Sequence, residues 1–505
     1  MDDLKGNDNR ISSKNIHAFI IPLVVGIIFF CFVLLFYPFR ERLQFDYDEG
    51  INLIVSMLIK SGYPLYEQVS SDQPALFAYL LAAMINLVGI NLTISRILIL
   101  IFSSVLVWAC AQFLQLVWGS IHSVLMLFLI ILLPFYMQLS VSIMFGLPAI
   151  AMAILSLLAL ILWHLSKKNL WLILSAIALG ISIHIKLFTA FLVPIFLIGI
   201  STTQINYSRG QRFSIKWFKP AIIWGISFSV FSITLGLSFF NSESFSSIVQ
   251  PHYNSSTTDS LRDFHNTINY HLLNIREFII LALIGVLITI KKRNWLTIYP
   301  ISWFIIGYLL LNSYSPVWYH QQLLVTVPIT MLAAVAAGEA INWTVKLFHS
   351  KEFINLNNLL YFFALLGLIL VVINFSSDFL KQIYPREQIK RSSLIAPKHQ
   401  MDVLRAMRDY ADYTNWIVTD MPIYAVLLRK PVPPDLATFT LKRLATKALT
   451  EEEVISSVKV YKPEQVLLTR FNLPKLEIQL MKNYSLILEK RDYRLYVRND
   501  IYVPK

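Results

Sequence analysis

Residues 16–60 read IHAFIIPLVVGIIFFCFVLLFYPFRERLQFDYDEGINLIVSMLIK. The first part, Ile16 to Tyr37, is an apolar run of about 20 residues, long enough to span a bilayer as a helix. It lacks the small-residue cleavage site of a secretory leader, so it reads as a signal anchor. Lys5, Arg10 and Lys14 precede it. Acidic residues count for little in the positive-inside rule, so Asp2, Asp3 and Asp8 do not offset them, and the N-terminus is expected in the cytoplasm. A few positions past the anchor comes Asp46-Tyr47-Asp48-Glu49, which this orientation puts at the outer membrane surface. Carboxylates beside lipid are costly and usually have a task. From Glu49 to Lys60, Ile51, Ile54, Val55 and Leu58 recur at helical spacing, and Asn52, Ser56 and Lys60 form a narrow polar stripe. That pattern predicts a helix lying in the membrane surface, stopped by Gly62 and Pro64.

Working outward, the rest of the chain divides in two. Hydrophobic residues make up 56% of its 505 positions and charged residues 14%, well below the quarter or so usual in a water-soluble domain. The charge is concentrated at the end: 22 of the 43 Lys and Arg and 15 of the 30 Asp and Glu lie from residue 378 onward. The two cysteines, Cys31 and Cys110, both lie in apolar runs and read as inert core thiols. Apolar runs follow the anchor at about 76–93, 95–117, 121–140, 142–164, 170–200, 220–240, 276–290, 295–311, 317–341 and 358–375. The long 170–200 run, with Gly180, His184 and Lys186 in its middle, is open to division. The expected architecture is an α-helical polytopic membrane protein of about 11–13 spans with a C-terminal soluble α/β domain.

Basic loops orient the spans. Arg209, Arg212, Lys216 and Lys219 form one cluster, Lys291, Lys292 and Arg293 a second, and Lys346 and Lys351 a third. Eleven simple crossings place all three inside and put the 39–75 loop, the 241–275 loop and the tail outside. Lys167 and Lys168 violate that count. The expected division is a membrane domain over 1–377 and an extracytoplasmic α/β domain over 378–505. Within the tail, Met401 to Tyr410 and Glu451 to Val458 read as helices. Trp416 to Thr419 and Gln465 to Thr469 read as strands, and Tyr484 to Leu488 with Tyr493 to Val497 as a hairpin. A basic tail suits contact with anionic headgroups or phosphates, although ordinary solvated surface has the same composition. There is no glycine-rich phosphate loop, so nucleotide binding is unsupported, and no nucleic-acid partner is expected.

Four places carry candidate chemistry. The first is the acidic run, where Asp48 has two readings: N-cap of the following helix, with Glu49 in the first turn, or a reactive carboxylate. Neighbours on a helix point about 100° apart, so one of the pair faces a given cavity, and Asp48 is better placed. The second is Asp72-Gln73-Pro74-Ala75-Leu76-Phe77, where Pro74 suits a helix start and Asp72 a cap. The third is Pro251-His252-Tyr253-Asn254; a loop His with a distant carboxylate can hold a divalent cation, and more often is simply solvated. The fourth is Tyr314 to Gln322, whose Trp318 and Tyr319 also fit an interfacial aromatic belt.

In this order these places resemble the bacterial branch of the dolichyl-phosphate-mannose–protein mannosyltransferase superfamily, which has the GT-C membrane fold and includes the lipid A aminoarabinose transferases. The matching features are the acidic pair Asp48-Glu49, the Asp72-Gln73-Pro74-Ala75-Leu76 entry to a span, and Arg96 at the start of the next. Lys186 on a later helix and Trp318-Tyr319-His320 through Pro328 continue the match. Val418-Thr-Asp-Met-Pro and Pro433-Pro434-Asp435-Leu436 extend it into the tail. The resemblance implies Asp48 as catalytic base or donor-orienting acid with Glu49 as its companion. It implies Lys186 and Arg96 on the donor phosphate or stabilising the bundle, and Tyr319, His320 and Gln73 near substrate. Asp72 and His252 stand where such enzymes place a divalent metal's ligands. Three departures stand out: Gln73 replaces a Lys, Ala75 replaces a Pro, and no Asp occurs near Phe145-Gly146-Leu147.

The function expected is that of an integral-membrane glycosyltransferase of the plasma (inner) membrane. It takes a sugar from a polyprenyl-phosphate donor and gives it, outside the cytoplasm, to a protein, lipid or glycan acceptor. A lipid-linked sugar cannot leave the bilayer, the acceptor needs a base, and the leaving phosphate needs a cation. A transporter or flippase of lipid-linked sugars is the main rival, and a non-enzymatic envelope scaffold the third reading. Transporters favour matching broken helices in two halves; one interrupted segment, near Gly180 to Lys186, is evident.

Overall fold

A chain surrounded by hydrocarbon must satisfy its backbone groups internally, and helices do so. The computed structural model describes residues 14–207, 218–239, 244, 247–248, 263–314, 316–350, 358–383 and 397–502. Among these, seven helices are long and apolar enough to cross a membrane, and shorter apolar helices lie between them. Large apolar side chains such as Ile226, Val230, Leu237 and Ile373 point outward from these helices, as a lipid-facing surface requires. Cys31 points outward too, whereas Cys110 is in the core; the expectation of two core thiols fails because the helix Lys14–Phe36 is largely peripheral.

The bundle has two ends, which side-chain ties identify. At one end Arg96 reaches Glu49, Gln138 reaches Tyr319, Phe32 stacks on Phe379 and His271 bonds the Val317 carbonyl. At the other end Trp118 donates to Thr297, Asn294 to the Val117 carbonyl and Lys292 to Glu339, while His164 bonds Tyr299 at 2.7 Å. The helix Leu76–Val88 does not join the two ends. Phe77 at its start touches Phe145, and Arg96, a few residues past its finish, is again beside Glu49. The expected 170–200 span is two helices, Asn169–Ile185 and Leu192–Tyr207, broken at Lys186. One expected crossing is therefore lost and one gained. This removes the Lys167–Lys168 violation: the helix Gly146–Ser166 starts beside the cavity described below and ends near Tyr299, so both lysines fall at the same end as Lys291 and Lys292.

The C-terminal portion is built on a four-stranded sheet, β1 (Ile417–Thr419), β2 (Gln465–Leu468), β3 (Tyr484–Lys490) and β4 (Tyr493–Arg498). Their order is β1-β2-β4-β3, with β1–β2 parallel and the other pairs antiparallel. The helices Lys398–Arg408 and Glu451–Tyr461 occupy the stretches read as helical. Thr450 and Glu453 make a capping box on the second, two orphan donors satisfied reciprocally.

The helix Tyr47–Lys60 is buried from Glu49 to Leu58, which corrects the expectation of a helix lying in the membrane surface. Its polar stripe is spent inside the protein: Asn52 donates to the Ile143 carbonyl at 2.7 Å and Ser56 to the Asn52 carbonyl. The short helix Ile423–Leu428 of the C-terminal portion packs on it. Contact is backbone to backbone at Gly50, where an added Cβ would stand 2.5 Å from the Ile423 nitrogen. Because that neighbour is main chain, it cannot yield by a rotamer change. Gly50→Ala is expected to cost about 1–3 kcal/mol and loosen the C-terminal portion, read as a lower unfolding temperature and faster proteolysis after residue 383.

Candidate active site

The acidic run is sorted by its local hydrogen bonds. Asp46, extended at φ −141°, is the N-cap of the helix Tyr47–Lys60, and its carboxylate accepts from the Asp48 amide at 2.8 Å. The capping role weighed for Asp48 thus belongs to Asp46, and Asp48 sits in the first turn of that helix. Asp72 is not a cap either; the helix Leu76–Val88 has Ala75 at its N-cap with no side-chain bond.

Asp48 lines a cavity of about 770 Å³ between the bundle end and the C-terminal portion. Lys186, Asp72, Gln73, Tyr319 and His320 share that wall. Tyr319 donates to Asp46 at 2.6 Å and accepts from Gln138, so it is tied into the acidic cluster rather than an aromatic belt. Gln73 donates to Asp72 at 3.0 Å, and its carbonyl accepts from Tyr66. Burial, and next the Asp46 carboxylate, push the Asp48 carboxyl up to about 7, against the pull of Lys186. Burial also raises Asp46, opposed by its bond from Tyr319. A carboxylate tuned toward neutrality in a cleft is suited to moving a proton at working pH.

Glu49 and Arg96 are absent from the cavity wall and fully buried behind it. They are ion-paired at 2.9 Å. Glu49 also accepts from the amides of Phe45 and Ile143, and Arg96 donates to the Phe39 and Arg42 carbonyls, each at 2.7 Å. Of the two roles the resemblance allowed for Arg96, this geometry is that of a structural tie.

The C-terminal portion supplies a wall that the sequence did not point to. Lys442 pairs with Asp72 at 2.8 Å, Tyr47 donates to the Phe439 carbonyl, and the Arg470 guanidinium lies 3.7 Å above the Tyr47 ring. These partners are hundreds of residues apart, and no local pattern joins them. His252 lies outside the described residues. The resemblance made Asp72 its metal partner, yet both Asp72 oxygens already take donors, Gln73 on one and Lys442 on the other. Among the described residues no three His, Cys, Asp or Glu side chains form a metal-holding group. Those residues fit an ammonium pair at Asp72 rather than a divalent ion.

No protein-family model matches the chain, and no curated protein matches it in sequence. Solved structures match in fold. ArnT from Cupriavidus metallidurans bound to undecaprenyl phosphate is 12% identical, with 97% of this chain and 99% of that chain covered and a TM-score of 0.56. Its apo form is 13% identical, with 98% and 100% covered and the same TM-score. The archaeal oligosaccharyltransferase AglB from Archaeoglobus fulgidus, in complex with an inhibitory peptide and a dolichol-phosphate, is 11% identical, covering 97% and 75%, with a TM-score of 0.53. The chain has the GT-C fold, on a multi-pass helical bundle.

The buried pair gives a clean test. Arg96→Met leaves Glu49 charged and unpaired, and is expected to cost about 3–5 kcal/mol. The double variant Arg96→Met/Glu49→Gln should recover much of that in a thermal unfolding series. Equal destabilisation by single and double variants would remove the pair as the tie.

Proposed function

We propose that this chain is an integral-membrane glycosyltransferase that moves a sugar from a polyprenyl-phosphate donor to an acceptor outside the cytoplasm. The observation that carries the reading is Asp48, buried and tuned near neutrality, sharing with Lys186 the wall of a cavity at the end of a GT-C bundle. The relatives in fold were solved with undecaprenyl phosphate and dolichol-phosphate, which supports a lipid phosphate as the group Lys186 meets.

The chemistry follows from those two side chains. Asp48 accepts the proton of the acceptor hydroxyl or amine as its oxygen or nitrogen attacks the anomeric carbon. The bond from that carbon to the phosphate oxygen breaks, and the electron pair leaves with the polyprenyl phosphate. The Lys186 ammonium stabilises the charge that develops there. Attack opposite the leaving group inverts the anomeric centre. Tyr319 and Asp46 hold the first turn of the Tyr47–Lys60 helix so that Asp48 faces the cavity.

Charge placement supports an outward-facing site. Lys167, Lys168, Lys219, Lys291 and Lys292 stand at the bundle end away from the cavity. Lys292 meets Glu339 more than four turns beyond Leu323, roughly 24 Å from the cavity end of that helix. By the positive-inside rule that end is cytoplasmic. A surface cavity also favours group transfer over translocation, which places its site near the midplane. The region from residue 397 onward would then lie outside the membrane with the cavity.

Asp48 must be ionised to act as base, so the rate should be lost as pH falls through about 7. Asp48→Asn is expected to lower transfer from a polyprenyl-phosphate sugar by about 10²–10⁴-fold; undiminished transfer would remove Asp48 from the mechanism. The same burial predicts a stability effect of opposite sense. An unfolded Asp ionises near 3.8, so the folded state increasingly disfavours the ionised carboxyl as pH rises from there to about 7. Asp48→Asn should therefore raise the unfolding temperature more at pH 8 than at pH 4.

A further inference from the structure

The charges around the cavity are divided by origin. Among the described residues, the bundle side contributes the carboxylates Asp46, Asp48 and Asp72 with the single cation Lys186. Among the described residues, the C-terminal portion contributes Lys442, Arg443, Lys447 and Arg470 and no carboxylate. These four cations are not equivalent. Lys442 is paired with Asp72. Arg443 is consumed by its own loop, donating to the Asp435 and Thr438 carbonyls and to that of Ala448. Lys447 is exposed. Arg470 is the held one: its guanidinium lies over the face of Tyr47, the residue before Asp48, and among the described residues it makes no ion pair. Arg470 also reaches the Tyr47 hydroxyl with a side-chain hydrogen bond; stacking uses the face of the guanidinium, and the rest of its N–H edge suits a planar or tetrahedral oxyanion.

What fixes Arg470 is a buried carboxylate that binds the turn after β2. Asp420, fully buried after β1, accepts from the amides of Thr469 (2.9 Å), Arg470 (2.6 Å) and Phe471 (2.9 Å), and from the Thr469 hydroxyl (2.9 Å). Three successive amides converging on one carboxylate set the direction in which the Arg470 side chain leaves the sheet. Asp48 lies within electrostatic reach of both Lys186 and Arg470. A displacement at the anomeric carbon needs a cation for the leaving phosphate. A second cation, brought by a different part of the chain, is surplus to that need unless it binds another oxyanion or shares the first.

We propose that Arg470, positioned by the Asp420 turn, is a substrate-binding residue for a phosphate-class oxyanion, so that the C-terminal portion completes the active site. The proposal rests on the glycosyltransferase reading. The oxyanion has two sources: the donor's lipid phosphate or an anionic group on the acceptor.

Full-length protein in detergent, titrated with undecaprenyl phosphate and assayed for sugar transfer, tests it. The variants are Arg470→Gln, Arg470→Lys, Asp420→Asn and the double Asp420→Asn/Arg470→Gln. A loss of undecaprenyl phosphate affinity on the order of tenfold in Arg470→Gln, partly restored in Arg470→Lys, assigns the donor phosphate. Unchanged lipid affinity with a similarly raised KM for acceptor and little change in kcat assigns the acceptor. In either case Asp420→Asn should raise the same KM, and the double variant should be no worse than Arg470→Gln alone. A merely structural Asp420 would instead add its effect and spread it over kcat and both KM values, which overturns the positioning role. Wild-type affinity and both KM values in Arg470→Gln overturn the proposal while leaving the enzyme reading intact. Failure of the unmodified protein to bind undecaprenyl phosphate and to transfer sugar overturns both.

Discussion

The structure turns on one buried carboxylate–guanidinium pair. Glu49 and Arg96 join four stretches of chain: the 39–45 loop, the helix Tyr47–Lys60, the helix Leu92–Val117 and the segment at Ile143. An ion pair in such a place is worth little as net stabilisation, because desolvation offsets the attraction. What it supplies is geometry. Every oxygen of Glu49 and most donors of Arg96 have partners, so neither can shift without stranding a charge. The first turn of the Tyr47–Lys60 helix is thereby fixed, and with it the direction of Asp48. Asp46 completes the arrangement by capping that helix, which is why three neighbouring acids have three separate tasks.

That division explains what the sequence made legible. Length and hydropathy were enough for the bundle and the strands and helices of the tail, because those are patterns of near neighbours; they left the 170–200 run open to division. The resemblance pointed to Asp48, Asp72, Lys186, Gln73, Tyr319 and His320, which the fold gathers on one cavity. It placed Glu49 and Arg96 with them because they are adjacent in order. A 100° step around the helix turns Glu49 away from the cavity. The surface helix was misread for a related reason. Amphipathicity tells that one face is polar, and says nothing of what covers the other; here a sheet domain more than 300 residues away covers it. The crossings of Leu76–Val88 and of the 170–200 run erred in opposite senses, since an apolar run reports solvent and not direction.

Arg470 and Lys442 lay beyond sequence reasoning altogether. Nothing near them in the chain is unusual for a basic soluble tail. Their meaning comes from docking, which brings Lys442 onto Asp72 and Arg470 onto Tyr47. The close approach at Gly50 makes that docking possible: any side chain there would meet the Ile423 backbone. A glycine after an acidic pair reads as a weak helix position when seen alone, and as a contact surface once its neighbour is known.

The cost of the site is concentrated at Asp48. A carboxyl that burial drives toward the neutral form is poorly matched to folding above neutral pH, and well matched to taking a proton. The chain keeps the group buried and places its cations at a distance, on Lys186 and Arg470, where they temper the shift without abolishing it. A direct salt bridge would have secured Asp48 as a permanent anion with little basicity, as Lys442 secures Asp72. The difference between these two aspartates, one paired and one unpaired among the same described cations, is the physical basis for proposing the chemistry at Asp48 and the architecture at Asp72.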